Sequence, residues 1–488
     1  MDGFAFDSSF ARLPQRFFAR QAPTPVANPK LIAWNRDLAG DLGLDPEFLA
    51  SQRGVDILSG NALASGSEPI AMAYAGHQFA HFVPQLGDGR AILLGEVIDH
   101  AGLRRDIQLK GAGRTPFSRS GDGRAALGPV LREYLVSEAM AALGIPTTRA
   151  LAVVTTGETV ARETALPGAI LTRVAASHIR IGTFQYFASR GDHEGVRILA
   201  DYTIARHYPN AVEAENPYRA LLDGVIARQA HLIARWLLVG FIHGVMNTDN
   251  MAISGETIDF GPCAFLDAYD PTKSFSAIDQ RGRYAYGAQP QIAQWNLARF
   301  AETLLPLLGA QEADAVTAAQ DALGRFAEIF QNAYAAGLSA KLGLAQSREG
   351  DTALAQDLLA LMAANGADFT LTFRGLSDEW YGIGPTRELF ADPQSFDQWS
   401  SRWRLRLAEE GQDGRVTAGA MRAVNPAFIP RNHRIEAVIA AAVQGADFAP
   451  FETLAKVLLN PFAEQPEFAA YREAPRPDQV VEQTFCGT

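Results

Sequence analysis

The stretch "HGVMNTDN", His243 to Asn250, and the "IDFG" that follows at Ile258 to Gly261 decide the fold. The histidine and the asparagine enclose six residues, and Asp259 stands nine residues beyond Asn250. Amide and carboxylate oxygens are hard donors of the kind Mg2+ takes. A spacing of nine allows a tight β-hairpin to bring Asn250 and Asp259 together. Asp249 sets a second carboxylate beside Asn250, while Val245 holds the third position of the motif.

Protein kinases write their catalytic loop H-R-D-x-x-x-x-N and hold metal with that Asn and the Asp of D-F-G. This chain keeps the His, the Asn and the DFG but has Val245 where a kinase has its catalytic Asp. The flanking segments follow the same order of parts. From 83 to 165, "AILLGEVID" and "RRDIQLKGAG" predict two strands. "GPVLREYLVSEAMAALGIP" predicts a helix closed by Gly144 and Pro146. "RALAVVTTGETVARE" predicts a strand, a turn and a second strand. From 166 onward the chain is predicted mainly helical, and a long helix, "YRALLDGVIARQAHLIARWLLVGFIHG", leads into the opening motif. "ETIDFG" predicts a short strand and turn.

The expected class is α+β: a protein-kinase-like two-lobe fold with a small strand-rich N-lobe, a larger helical C-lobe and extensions at both ends. The expected units are 1–82 (N-terminal extension), 83–165 (N-lobe), 166–310 (C-lobe core), 311–450 (helical C-terminal extension) and 451–488 (a Pro-punctuated tail carrying Cys486).

Several groups suit nucleotide phosphates. Gly87 and Gly89 in "QLGDGR" can admit phosphate to backbone N–H groups, and Arg90 adds a cation that a kinase glycine loop lacks. Lys110, late in a strand, can meet phosphates if a helix glutamate holds it; Glu133 is the first candidate and Glu138 the second. "GRTPFSRSGDGRAALG", residues 113–128, carries Arg114, Arg119 and Arg124 and reads as a phosphate lid with Asp122 and Gly123 at the nucleotide. Arg173 and Arg180 share a face if "LTRVAASHIRIGTF" is helical, and their forks suit phosphate oxygens.

Other chemistries fit less well. His77 and His81 in "HQFAH" have the i, i+4 spacing of a zinc pair, but no glutamate or third ligand accompanies them, so they read as structural. G-x-S-x-G is missing, which removes the usual hydrolase triad. A net charge of −11 argues against a nucleic-acid partner. No apolar run reaches the roughly 20 residues that span a bilayer. Two cysteines in 488 residues fit a reducing compartment, so a cytoplasmic, monomeric protein is expected.

Long stretches of the chain resemble the selenoprotein O family, with its bacterial YdiU-type members. They include "YAGHQFAHFVPQLGDGRAILLGE", "DIQLKGAGRTPFSRSGDGRAALGPVLREYLVSEAMAALGIPTTRAL", "LTRVAASHIRIGTFQYFA" and "HGVMNTDNMAISGETIDFGPCAFLDAYDP". The resemblance implies a kinase-like fold that binds ATP in a flipped orientation. It implies transfer of AMP to Ser, Thr or Tyr hydroxyls of target proteins, with Mg2+ or Mn2+. By resemblance, Gly87, Gly89, Arg90, Lys110, Asp122, Gly123, Arg173, Arg180 and Asp259 contact the nucleotide, and Glu133 orients Lys110. Asn250 and Asp259 are the implied metal ligands. Asp249 is the implied catalytic base, ionised and of low pKa beside the metal. Cys486 matches a position that carries selenocysteine in some relatives; either it pairs with Cys263 or Cys263 is buried and inert. The alternatives are a protein kinase that transfers the γ-phosphoryl and a nucleotide-binding scaffold without catalysis.

Overall fold

The structure is a computed structural model that describes residues 3–382 and 384–485. Its organising element is an eight-stranded sheet in which every neighbouring pair is antiparallel. In chain order the strands are β1 (Phe18–Arg20), β2 (Lys30–Trp34), β3 (Ile70–Met72), β6 (Ala91–Ile98), β7 (Arg104–Lys110), β8 (Ala125–Ala126), β9 (Arg149–Ala161) and β10 (Ala165–Ala175). A separate hairpin, β4 (Gly76–Gln78) and β5 (His81–Val83), interrupts the series. The spatial order β1-β3-β6-β7-β10-β9-β2 puts the N-terminal strands on both edges, with β8 pairing β10. Seven of the eight residues of β6 are buried, the ion-paired Glu96 among them, so both of its faces are covered. At the β6–β7 turn Asp99 Oδ1 accepts the N–H groups of Ala101 and Leu103, at 3.0 and 2.8 Å.

Two sequence expectations are corrected here. Residues 149–161 form one strand, and the return strand is 165–175, so the sheet runs past residue 165. Arg173 therefore lies on β10, and "LTRVAASHIRIGTF" is not helical as far as Arg180. Residues 169–175 are all buried, which fits a strand covered on both faces.

The helices α1 (Arg36–Asp41), α2 (Pro46–Ala50) and α3 (Gln52–Leu58) pack beside β2 and β9. α4 (Leu127–Ala142) crosses the sheet and is buried over almost its whole length. α5 (Ile181–Ala188), α6 (His193–His207) and α7 (Pro217–Leu238) begin the helical part. α7 starts where Asn216 accepts the N–H groups of Tyr218 and Arg219 with Pro217 in the first turn, and it gives way at Gly240 (φ +76°). The chain then forms β11 (Phe241–Ile242), which pairs with β12 (Ala264–Phe265).

Among the described residues eight α-helices follow: α8 (Gln289–Leu308), α9 (Glu312–Lys341), α10 (Asp351–Asn365), α11 (Phe369–Glu379), α12 (Pro393–Ala408), α13 (Gly414–Val424), α14 (Asn432–Gly445) and α15 (Ala449–Leu458). α14 and α15 return to cover α4, with the Tyr134 and Phe451 rings 5.4 Å apart. Residues 449–458 are thus a packed helix where the sequence reads as a tail, because Phe451, Leu454 and Leu458 share a buried face. Further on, Thr484 donates its hydroxyl to the Pro262 carbonyl at 2.6 Å. Among the described residues no helix is long and apolar enough to cross a membrane.

Candidate active site

A cavity of about 890 Å3 lies between the sheet and the helical part. Its sheet side carries Gly87 to Ala91 and Lys110, and its opposite side carries Val245, Asn247, Asp249, Asn250 and Asp259. Residues 117–124 and the side chains of Arg173 and Arg180 complete the wall. Every residue expected at the nucleotide lines this cavity. Glu133 lies behind the wall and reaches the site through Lys110.

The two motif ends meet differently from the hairpin expected of them. Residues 243–263 form a loop closed at its base by β11 and β12. His243 Nε2 bonds the Ile258 carbonyl at 2.8 Å across the loop, and its ring stacks on Trp236 at 5.5 Å. "ETIDFG" forms no strand; Thr257 makes a single parallel bridge to Thr147. Asn250 ends a turn at Thr248–Asn250, and its amide donates to the Val245 carbonyl at 2.9 Å. That bond fixes the amide and leaves Oδ1 as its remaining acceptor.

Asp259 is the hub of the charges. Its Oδ1 accepts Lys110 Nζ at 3.0 Å and Arg173 Nη1 at 2.5 Å, and its Oδ2 accepts Arg180 Nη1 at 2.5 Å. Glu133 accepts the same lysine at 2.5 Å and the same Arg173 at 3.3 Å. Arg173 and Arg180 thus converge from a strand and a helix start, not from one helix face. Burial opposes the Asp259 charge, but Lys110, Arg180 and Arg173 outweigh it and hold the carboxyl well below the usual range. Asp259 sits at φ +62°, a left-handed conformation that costs a non-glycine residue on the order of 1–2 kcal/mol.

Among the described residues no cation touches the Asp249 carboxylate; Arg180 bonds its backbone carbonyl at 2.6 Å. Burial pushes its carboxyl up to about 6, opposed by the Gln78 amide on Oδ2 at 3.0 Å. Its Oδ1 is buried and has no hydrogen-bond partner.

The glycine turn is roofed by the 113–124 loop. A Cβ on Gly87 would stand 2.3 Å from the Phe117 ring, and one on Gly89 would stand 2.9 Å from the Phe117 carbonyl oxygen. These glycines admit the loop as closely as they could admit a phosphate. Asp122 pairs with Arg162 at 2.9 Å and turns its other oxygen to the Arg124 N–H. Gly123 adopts φ +70° and its carbonyl accepts the Gly113 N–H at 3.0 Å. Arg124 donates to the carbonyls of Thr24 and Pro25, each at 3.0 Å, which ties it to the N-terminal segment. Arg90 and Arg119 line the cavity.

Sequence reading missed Asp88, Gln108 and Gln78. Asp88 is buried and pushed up to about 6 by burial; it accepts the Met72 N–H at 3.0 Å and Gln108 Nε2 at 3.2 Å. Its signal was present, as the one carboxylate between the two glycines. Gln108 in turn bonds Arg173 Nε at 3.1 Å. "HQFAH" is a β-hairpin, so His77 and His81 are not on a helix face; His77 meets the Gln185 amide at 2.9 Å. Cys263 is buried, and burial pushes its thiol up to about 12. Cys486 lies outside the described residues.

Among the described residues no cluster of three or more His, Cys, Asp or Glu side chains could hold a metal alone. Asn250 and Asp259 offer hard oxygens on one cavity wall. That set fits a divalent cation that takes the rest of its shell from phosphate and water.

A family model for the protein adenylyltransferase SelO family matches residues 3–459. Curated relatives named protein nucleotidyltransferase YdiU are similar throughout. The one from Methylorubrum populi is 66% identical and the match covers 99% of each chain. Those from Rhodopseudomonas palustris strain BisB5 and Bradyrhizobium diazoefficiens are each 65% identical, again over 99% of both chains. The chain belongs to the protein adenylyltransferase SelO family.

Proposed function

We propose that this chain is an ATP-dependent protein adenylyltransferase with a kinase-like arrangement of its two parts. It transfers AMP to Ser, Thr or Tyr hydroxyls of target proteins and releases pyrophosphate. The observation that carries the proposal is the convergence of Lys110, Arg173 and Arg180 on Asp259 in the cavity wall. Three buried cations gathered there suit a triphosphate. The description of the family supports adenylyl as the transferred group, and the names of the relatives support nucleotidyl transfer to protein.

In this reading Glu133 and Gln108 orient Lys110 and Arg173, which with Arg180 bind the phosphates. Residues 113–124, with Asp122 and Gly123, close over the nucleotide and exclude water. Asn250 and Asp259 would hold Mg2+ or Mn2+, which would supply charge neutralisation on the phosphates. The acceptor oxygen attacks the α-phosphorus and its proton passes to Asp249. The bond from that phosphorus to the bridging oxygen breaks, and pyrophosphate leaves with the electron pair. A base that burial places near 6 in the free protein is suited to neutral pH. We assign the reaction to a cytoplasmic monomer; the scarcity of cysteine supports that compartment.

The test is incubation with α-32P-ATP and, separately, γ-32P-ATP, with a degenerate Ser/Thr/Tyr peptide pool as acceptor. Peptide label from the α-position only is expected. Label from the γ-position only would mean a kinase, and no label from either would mean a scaffold. Asp249→Asn is expected to lower the rate of α-label transfer by about 10²–10⁴-fold, the usual worth of a general base. Full activity in that variant would refute the base assignment.

A further inference from the structure

The "HQFAH" segment has no part in the reaction as described so far, yet its Gln78 bonds the carboxylate of the candidate base. We propose that the hairpin Gly76–Val83 is a positioning device for Asp249 and that Gln78 is its positioning residue. The proposal rests on the reading of Asp249 as the base.

The hairpin reads three consecutive residues of the catalytic loop. Its Phe79 N–H donates to Asn247 Oδ1 at 3.1 Å, its His77 N–H to Thr248 Oγ1 at 2.7 Å, and its Gln78 Nε2 to Asp249 Oδ2 at 3.0 Å. Gln185, on α5, braces both partners, bonding the His77 ring at 2.9 Å and accepting the Thr248 hydroxyl at 2.6 Å. Each bond is local, but together they leave the loop little freedom to shift against the hairpin.

The fit is close enough to constrain the sequence. A Cβ on Gly76 would stand 2.6 Å from Asp249 Oδ1 and 2.9 Å from Asp249 Cβ. No residue with a side chain can take that place without moving the carboxylate. The turn itself is strained. Phe79 (φ +49°) and Ala80 (φ +67°) are both left-handed without being glycine. Such residues cost about 1–2 kcal/mol each and persist where the surroundings over-determine them. Here Phe79 is held by two donor bonds from one N–H, to Asn247 and to the Tyr284 hydroxyl at 3.2 Å, and by its ring 5.0 Å from the Tyr284 ring.

The chemical consequence concerns the two oxygens of one carboxylate. Among the described residues Gln78 is the side chain that donates to Oδ2, and Oδ1 is buried against Gly76 with no donor. An amide on one oxygen and a glycine backbone against the other fix the plane and the position of the carboxylate. Geometry of this kind is worth large rate factors, since small misplacements of a reacting group are costly. A histidine pair that looks like a metal site is then explained without metal: the useful residue is the glutamine between them.

The test compares the parent with Gln78→Leu, Gln78→Glu, Asp249→Asn and the double variant Gln78→Leu/Asp249→Asn. The readouts are α-label transfer to the peptide pool, nucleotide affinity by calorimetry with α,β-methylene-ATP, and thermal unfolding. Gln78→Leu is expected to lower kcat by about 10–100-fold while KM for ATP, nucleotide affinity and Tm hold. Gln78→Glu, which keeps the length and sets a second carboxylate against Asp249, is expected to lose at least as much. In the Asp249→Asn background, Gln78→Leu is expected to cost nothing further. Unchanged kcat in Gln78→Leu beside an impaired Asp249→Asn would overturn the hairpin's role alone. Parallel losses of kcat, nucleotide affinity and Tm would make Gln78 merely structural and also overturn it. A fully active Asp249→Asn would instead overturn the base assignment on which it rests.

Discussion

Lys341 ends α9 inside an apolar cluster, where it is 3% exposed and no carboxylate among the described residues pairs with it. Its Nζ lies 4.3 Å from the centre of the Phe373 ring and 5.5 Å from that of Phe369. Burial pulls its ammonium down to about 7. Against an ordinary lysine at about 10.4, and at 1.36 kcal/mol per tenfold change, the charge costs about 4–5 kcal/mol in place. The folded value is the depressed one, so the unfolded chain binds more protons between about 7 and 10.4, and stability climbs with pH across that window. Below about 7 the folded protein must accept the proton and bears the whole cost. Lys341→Met keeps the stem and removes the charge. It forfeits a desolvated cation–π contact of about 2 kcal/mol. The variant is therefore expected to be more stable at pH 7 by about 2–3 kcal/mol. That advantage is expected to shrink by about 2 kcal/mol at pH 9. Urea denaturation followed by tryptophan fluorescence reports on this cluster, because Trp403 belongs to it and donates to the Leu342 carbonyl at 2.9 Å. A variant less stable than the parent at pH 7, or an advantage identical at the two pH values, would refute the reasoning.

Two further outcomes are expected. Glu133→Gln removes one of the two carboxylates that face Lys110, Arg173 and Arg180. Breaking a buried pair costs about 3–5 kcal/mol, so thermal unfolding of the free protein should show a clear loss, and a Tm equal to the parent's would contradict the ion-pair network. Cys263, with its thiol held at about 12, should resist iodoacetamide at pH 8 in the native protein and react on denaturation. Peptide mass spectrometry of a Cys486→Ser variant reads this directly, and prompt native labelling would show that the site opens.

What the sequence disclosed, and what it hid, follows the range of each interaction. α4 and α7 were legible because a 3.6-residue apolar period and their end signals are local. The grouping of Asn250, Asp259 and Lys110 on one cavity was legible through the order of motifs along the chain. Sheet edges were not: β1, β2 and β3 are three to five residues long and pair with strands far away in sequence. The 165–175 strand was misread for a related reason. An apolar run buried on both faces carries no alternation to set it apart from a helix. The proton affinity of Asp249 in the free protein was not legible, because adjacency to Asn250 says nothing about burial, and burial raises it. Gln78 was passed over because a neutral amide between two histidines carries no charge to draw notice.

The charge arrangement explains why one carboxylate can serve two demands. In a chain of net charge −11, three cations are buried together and, among the described residues, pair only with Glu133 and Asp259. With Asp88 and Asp249 both pushed up to about 6 by burial, the cluster has no surplus of firmly ionised acids to quench it. Asp259 has both oxygens committed to cations in the free protein. On the proposed reading a triphosphate competes for those cations; drawing away Arg180 would free Oδ2, and drawing away both Lys110 and Arg173 would free Oδ1, so that a divalent ion could be held there. Nucleotide and metal then favour each other's binding, and linkage makes that preference reciprocal. A carboxylate bound to a metal by default would need no such cage. On the same reading, the three cations on Asp259 would hold the proposed metal ligand in place until the nucleotide arrives.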